Sequence, residues 1–98
     1  MQGPAVRADA DSLADGPDDL ERVSTREAID LYNKLLTDYP LYKRNDQVLY
    51  QMSRAYEELG EIKAAMTVME RMVRDFPRSR YVDEVQFRRA EYFFSHKR

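Results

Sequence analysis

The residues best suited to catalysis in this chain are one histidine and two pairs of adjacent carboxylates. His96 is the only histidine among 98 residues, and the chain has no cysteine. With so few nitrogen and sulfur ligands, a zinc site would need an unusual set of carboxylates. The neighbours Asp18-Asp19 and Glu57-Glu58 point about 100° apart on a helix, which suits solvation better than shared proton transfer. The sequence therefore predicts no catalytic residue, no metal site and no cofactor.

A second set of side chains mixes arginine with aromatic residues, as nucleic-acid surfaces do. Residues 71–98 hold 8 Lys/Arg against 4 Asp/Glu, whereas residues 1–70 hold 8 against 14. A basic end can attract an acidic partner or nucleic acid, but long arginine side chains also cover helix surfaces. We expect no nucleic-acid binding, because the aromatic residues are needed for an apolar helix face. The residues concerned are Arg78, Arg80, Tyr81, Phe87, Arg88 and Arg89.

The elements that carry these residues are predicted to be helices. Four segments have apolar residues at three- and four-residue spacing, and none alternates with a period of two over strand length. Residues 1–17 lack periodicity and predict a flexible lead-in. Residues 18–98 are predicted to form one all-α domain of about four antiparallel helices. No apolar run approaches the roughly 20 residues that a membrane span needs.

Proline, glycine and capping residues mark the ends of the predicted helices. Pro40 and Pro77 end the first and third helices, because the residue before proline disfavours helical geometry. Asn45 or Asp46 can cap the second helix, and Gly60 is expected to end it in the left-handed backbone conformation. The first helix is predicted to turn one apolar face inward, formed by Ala28, Leu31, Tyr32, Leu35 and Leu36.

The chain also repeats itself at an interval of 37 residues. The segment AIDLYNKLLTDYP, residues 28–40, aligns with AMTVMERMVRDFP, residues 65–77. This pattern of large, small and aromatic positions resembles the tetratricopeptide repeat family. The best match is a complete unit over residues 46–79, between two half repeats. Its matching positions are Leu49, Met52, Ser53, Tyr56, Gly60, Ala65, Met69 and Pro77, whereas Met72 stands where the family favours alanine.

The resemblance implies helix-turn-helix hairpins stacked into a right-handed solenoid. Ser53 and Ala65 would be small so that the two helices of a hairpin can touch. Since each hairpin leaves an apolar face uncovered, we expect the chain to be part of a longer array. The longer period resembles that of bacterial envelope proteins, such as the outer-membrane assembly lipoprotein and the Tol–Pal coordinator. This implies the periplasm or the periphery of the outer membrane rather than the cytoplasm.

Members of this family bind partner peptides along a concave surface lined by the first helix of each repeat. The resemblance therefore implies a non-catalytic scaffold that holds a peptide or protein partner, extended or helical. An alternative for the matched aromatic pair Tyr50 and Phe87 is that they pack against each other. Carried over by position, the partner-binding residues are Gln47, Tyr50, Arg54, Glu57, Glu58, Glu84, Phe87, Glu91 and Phe94.

A second functional hypothesis is structural. The last helix would lack its packing partner, so Val85, Tyr92 and Phe93 are expected to face solvent or a second copy of the chain. The protein would then be an oligomerisation segment that uses this terminal face for self-assembly. The two hypotheses differ in which surface is apolar after folding.

Overall fold

The structure, a computed structural model, describes the backbone of residues 17–97 and the side chains of residues 22–95. It consists of helices α1 (Pro17–Asp38), α2 (Asn45–Glu58), α3 (Ile62–Asp75) and α4 (Val82–Lys97). The described residues contain no strand, which confirms the all-α prediction. The predicted lead-in over residues 1–16 and the side chain of His96 lie outside the described part. Pro17 belongs to α1, at a helix start where the missing N–H of proline costs nothing.

The helix boundaries repeat with the interval seen in the sequence. α1 and α3 end at Asp38 and Asp75, and α2 and α4 begin at Asn45 and Val82. Each helix packs against its neighbours in chain order, and the pair α2 and α3 shares the most extensive contact. The unit of the fold is therefore a helix-turn-helix hairpin, with α1 and α4 packed on either side of it.

Gly60 closes α2 as predicted. Its φ is 76°, in the left-handed region that glycine adopts without a side-chain clash. The N–H of Gly60 donates to the carbonyl of Glu57 at 2.9 Å, and the N–H of Glu61 donates to that of Tyr56 at 2.9 Å. These two bonds form a Schellman motif, which satisfies the last carbonyls of the helix and turns the chain back.

The two helices of the hairpin touch at the predicted small residues. Ser53 and Ala65 are both completely buried, with no exposed surface. The Ser53 hydroxyl donates to the carbonyl of Tyr50 at 2.7 Å, so its burial leaves no unpaired donor. Met69 and Met72 are also fully buried beside this crossing. The larger methionine at the second of these positions fits because it fills space within the core.

The inward face of α1 matches the prediction only in part. Leu36 is buried and Tyr32 packs against the core, as predicted. Ile29 is only 2% exposed, whereas Leu31 and Leu35 are 63% and 40% exposed. In the repeat, the latter two correspond to Val68 and Met72, which α3 buries. No helix in the described part of the chain covers that side of α1, so its residues remain in solvent. The periodicity identified an apolar stripe but not which edge of it would be covered.

The prediction that Asn45 or Asp46 caps α2 is wrong for Asn45 and is met only in part by Asp46, whose Oδ1 accepts the backbone N–H of Gln47 at 2.7 Å from within the first turn. Asn45 is already the first helical residue, and Arg44 at the N-cap makes no side-chain capping bond. Asn45 Nδ2 instead donates to the carbonyl of Tyr39 at 2.9 Å. An oxygen of Asp46 accepts from the Ser79 hydroxyl at 2.6 Å. The two polar side chains therefore tie the start of α2 to the loop before it and to the loop before α4.

The expectation for the terminal helix is only partly correct. Val85 is fully buried, so it does not face solvent. It occupies the repeat position of Val48, and both pack in the core against the rest of the bundle. Tyr92 is half-buried and bonded to Glu57 through its hydroxyl. Phe93, by contrast, is 54% exposed, as predicted.

Candidate functional site

The predicted partner-binding residues lie on α2 and α4, the helices at matching positions of successive repeats. Between these helices runs a hollow whose lining includes residues from both. We call it the groove. Four of the predicted residues line it together with Arg88, which the prediction did not include: they are Arg54, Glu57, Glu58 and Glu84.

Tyr50 holds the two sides of the groove together. Its hydroxyl donates to the Glu84 carboxylate, at 2.9 and 2.8 Å from the two oxygens. Its ring stacks on Tyr81, with centroids 4.2 Å apart and planes inclined by 17°. The guanidinium carbons of Arg54 and Arg88 lie 5.9 and 5.6 Å from the same ring centroid, within cation–π range. One tyrosine thus joins an aromatic stack to three charged groups.

A shielded ion pair crosses from α2 to α4 beside this tyrosine. Arg88 Nε lies 3.1 Å from a Glu57 oxygen, and the two side chains are 16% and 15% exposed. Arg88 also bonds Glu84, one turn earlier on α4. The Tyr92 hydroxyl donates to the same Glu57 oxygen at 2.9 Å. Because water has little access, this pair is screened less than a surface pair and fixes the spacing of the two helices.

The electrostatics of the network shift two pKa values. The pKa of Tyr92 is raised, first by burial and then by its hydrogen bond to the Glu57 carboxylate. The pKa of Arg54 is raised, chiefly because it donates to the Tyr50 hydroxyl. The Arg54 side chain is nevertheless 56% exposed. It therefore offers a fixed positive charge on the groove surface.

The predicted residues of α4 form an exposed stripe. Glu84, Phe87, Glu91 and Phe94 are spaced by three or four residues, so they lie on one face of the helix. Phe87 and Phe94 are 64% and 68% exposed. The alternative in which Phe87 packs against Tyr50 does not describe this structure, since the ring stacked on Tyr50 is that of Tyr81.

A second hollow extends the groove toward α1. It shares Arg54 and Glu58 with the first, so the two are continuous. Glu58 accepts a hydrogen bond from the Thr25 hydroxyl at 3.2 Å, which links α2 to α1. Gln47, in contrast, lies at the start of α2 and accepts from Arg44 at 2.6 Å, outside both hollows. The lining of the second hollow is Ser24, Thr25, Ala28, Tyr32, Gln51, Arg54, Ala55 and Glu58.

Three residues of the network were not predicted as site residues: Tyr81, Arg88 and Tyr92. Glu84 and Arg88 are four residues apart on one helix, a spacing that favours an ion pair and could have drawn attention to Arg88. Tyr81 and Tyr92 had no local signal, because their partners lie about thirty residues away in sequence.

Two of the arginines considered as a nucleic-acid patch have partners within the chain. Arg88 is bound by carboxylates, and Arg89 donates to Gln86 at 2.8 Å. Arg78 and Arg80 lie exposed in the loop before α4. Arg88 is therefore neutralised by its carboxylate partners, whereas Arg78 and Arg80 remain exposed. Within the described residues there is no cluster of potential metal ligands, and no described helix is long and apolar enough to cross a membrane.

The fold defines the class of protein: an all-α chain built from tetratricopeptide-like helical hairpins. Residues 8–98 match the YfiO family, described as outer membrane lipoprotein. Since the match covers most of the chain, the protein belongs to this family. The family is an envelope family, in agreement with the resemblance seen in the sequence. Among curated proteins and among solved structures, none matches the chain significantly.

Proposed function

We propose that the protein is a non-catalytic scaffold of the cell envelope that holds a peptide or protein partner in the groove between α2 and α4. The observation that carries this proposal is the exposed stripe on α4. Phe87 and Phe94 expose about two thirds of their surface on the side that the repeat pattern assigns to partner binding. Aromatic side chains in such positions commonly anchor a partner.

The polar part of the groove supports a stable shape before any partner binds. Tyr50 and Glu84 join α2 to α4 through an exposed hydrogen bond, and Glu57 and Arg88 join them through a pair that is largely shielded from water. A partner would therefore meet a preorganised surface, which reduces the entropy lost on binding. Arg54, Glu58 and Glu91 remain exposed at its edge and would select the charge of the partner.

We further propose that the partner belongs to outer-membrane assembly and that the groove faces the periplasm. The support is membership in a family of outer membrane lipoproteins, together with the envelope-type repeat. An amphipathic helix would suit this face, since residues seven apart on the partner, two turns or about 10.5 Å along its axis, would match the spacing of Phe87 and Phe94.

The test is a peptide-binding assay with a matched control. Peptides selected from a random library on the intact protein are labelled, and their affinity is measured by fluorescence anisotropy. Phe94→Ser should weaken binding about tenfold or more, because a buried phenylalanine contributes about 1.5–3 kcal/mol. Leu31→Ser is the control, since Leu31 is similarly exposed but lies on α1, outside both hollows. Equal loss in both variants, with circular dichroism unchanged, would refute the groove assignment.

Self-assembly through a terminal face remains the second candidate. It is favoured by the exposure of Leu31, Leu35 and Phe93 outside the groove. Sedimentation velocity over a wide concentration range tests it directly. A dimer that Leu31→Ser dissociates, while Phe94→Ser does not, would support this function.

A further inference from the structure

Two loops at one edge of the fold share a backbone conformation but carry different side chains. The first loop is residues 39–44 and the second is residues 76–81. In each, the N–H of the fourth residue donates to the carbonyl of the first, at 3.2 Å and 3.0 Å respectively. Both loops are fastened to the start of α2, the first through Asn45 and the second through Asp46. They therefore lie on the same edge of the molecule.

The first loop exposes apolar groups that its backbone does not require. Leu41 is 93% exposed and Tyr42 is 52% exposed. The corresponding residues of the second loop are Arg78 and Ser79, both polar. Since the second loop adopts the same turn with these residues, the fold does not explain the apolar pair. Exposed leucine and tyrosine at the tip of a loop are typical of a surface that contacts something else.

The same edge is positively charged. Lys43, Arg44, Arg78 and Arg80 lie within the two loops, which contain no acidic residue. The carboxylates at the ends of the preceding helices are already paired within the chain. Asp38 lies 3.1 Å from Lys34, and Asp75 lies 3.2 and 3.7 Å from Arg74 and Arg71. Asp46, at the start of α2, acts electrostatically on Arg80, so the four loop cations are balanced only in part and the edge keeps a positive charge.

We propose that this edge docks onto an anionic membrane surface, with Leu41 entering the interface. An apolar tip, flanked by tyrosines and then by cations, matches the order of layers in a bilayer interface. Apolar groups enter the acyl boundary, tyrosine rings lie at headgroup level, and Lys and Arg contact the phosphates. Tyr39, 62% exposed, adds a second ring to this layer.

The geometry favours a membrane over an acidic protein as the occupant. Leu41 stands out from the surface, so a protein partner would need a matching pocket to bury it. A bilayer interface accommodates a protruding side chain without one. The chain also belongs to a family of outer membrane lipoproteins, so a membrane surface is the environment expected nearby. The proposal concerns a surface contact that does not involve the groove.

The absence of tryptophan from the chain makes a direct test possible. Leu41→Trp places a single tryptophan at the proposed tip, and Leu31→Trp places one at an exposed position on α1. Vesicles of phosphatidylglycerol and phosphatidylcholine are added to each protein. The emission of the first variant should shift to shorter wavelength, and that of the second should not. No shift in Leu41→Trp, or the same shift in both variants, would overturn the proposal.

Vesicle sedimentation measures the apolar and the electrostatic contributions to the membrane contact separately. Leu41→Ser should weaken partition several-fold, and Arg78→Gln with Arg80→Gln should weaken it about fivefold for each cation, or about 1 kcal/mol each. Leu31→Ser, the control, should leave it unchanged. Binding that Leu41→Ser does not affect would mean adsorption by charge alone, against the proposal. Two further results would also overturn the proposal. One is a partition that does not change with the fraction of phosphatidylglycerol in the vesicles. The other is that the protein binds no vesicles but binds an acidic protein, and that Leu41→Ser weakens this binding.

Discussion

Replacement of Arg88 by methionine should destabilise the fold and loosen the contact between α2 and α4. Methionine retains most of the length of the side chain and removes its charge. Glu57 would keep the hydroxyl of Tyr92 as a donor but lose its cationic partner. Because the Glu57 side chain is only 15% exposed, water cannot fully replace that partner. The variant therefore leaves a charge in a poorly solvated position.

The expected loss can be estimated from the burial of the pair. Removing one member of a fully buried ion pair costs about 3–5 kcal/mol, and exposed pairs contribute about 0–1 kcal/mol. Arg88 and Glu57 are mostly shielded, but Arg88 Nη2 is buried without an acceptor among the described residues. We therefore expect about 2 kcal/mol. In a domain of this size, that lowers the melting temperature by roughly 10 °C.

Urea unfolding followed by circular dichroism measures this difference. The control is Lys34→Met, which removes an exposed ion pair with Asp38 and should change stability by less than about 0.5 kcal/mol. Combining Arg88→Met with Glu57→Leu should restore part of the loss, because no unpaired charge remains. A cost below about 0.5 kcal/mol for Arg88→Met, or full additivity with Glu57→Leu, would refute the proposed role of the pair.

Two further predictions concern the hairpin and the network. Gly60→Ala should lower the unfolding free energy by about 1 kcal/mol in urea titration. The cause is the φ of 76°, since a Cβ at this position would meet no atom within 4 Å. Gly60→Asn should cost less, and equal stability of the wild type and both variants would contradict the estimate. NMR titration should find the pKa of Tyr92 above its usual value, and the Glu57→Gln variant should bring it closer to that value. Because the folded-state pKa is raised, this hydroxyl contributes stability that is complete below the unfolded-state pKa and is lost as pH rises through the folded-state one.

Features set by neighbours in sequence could be predicted. Gly60 marks a left-handed turn because few other residues adopt that conformation, and the structure confirms it. Ser53 and Ala65 were predicted at the helix crossing from the resemblance to the tetratricopeptide repeat, and both are fully buried. Each of these predictions rests on local chemistry or on the repeat, which a single chain displays directly.

Features set by distant residues could not be predicted in the same way. Tyr50 was placed on the binding surface by its repeat position, but its half-buried stack depends on Tyr81, thirty-one residues later. Likewise Asn45 was a reasonable helix cap by residue type. It serves another role because the carbonyl of Tyr39 lies within hydrogen-bonding distance of its side chain. The type of a residue limits which hydrogen bonds it can make, and the neighbours that the fold brings close determine which of them forms.

The repeat also allows the two proposed functions to be compared. If copies stacked head to tail, α4 of one copy would pair with α1 of the next, as α2 pairs with α3. At the positions where α2 buries Leu49 and Met52, however, α4 carries Gln86 and Arg89, which bond each other. The exposed Leu31 of the next copy would then meet polar side chains and would have to desolvate them. This mismatch disfavours head-to-tail assembly, whereas the two exposed phenylalanines of the α4 stripe meet no such obstacle.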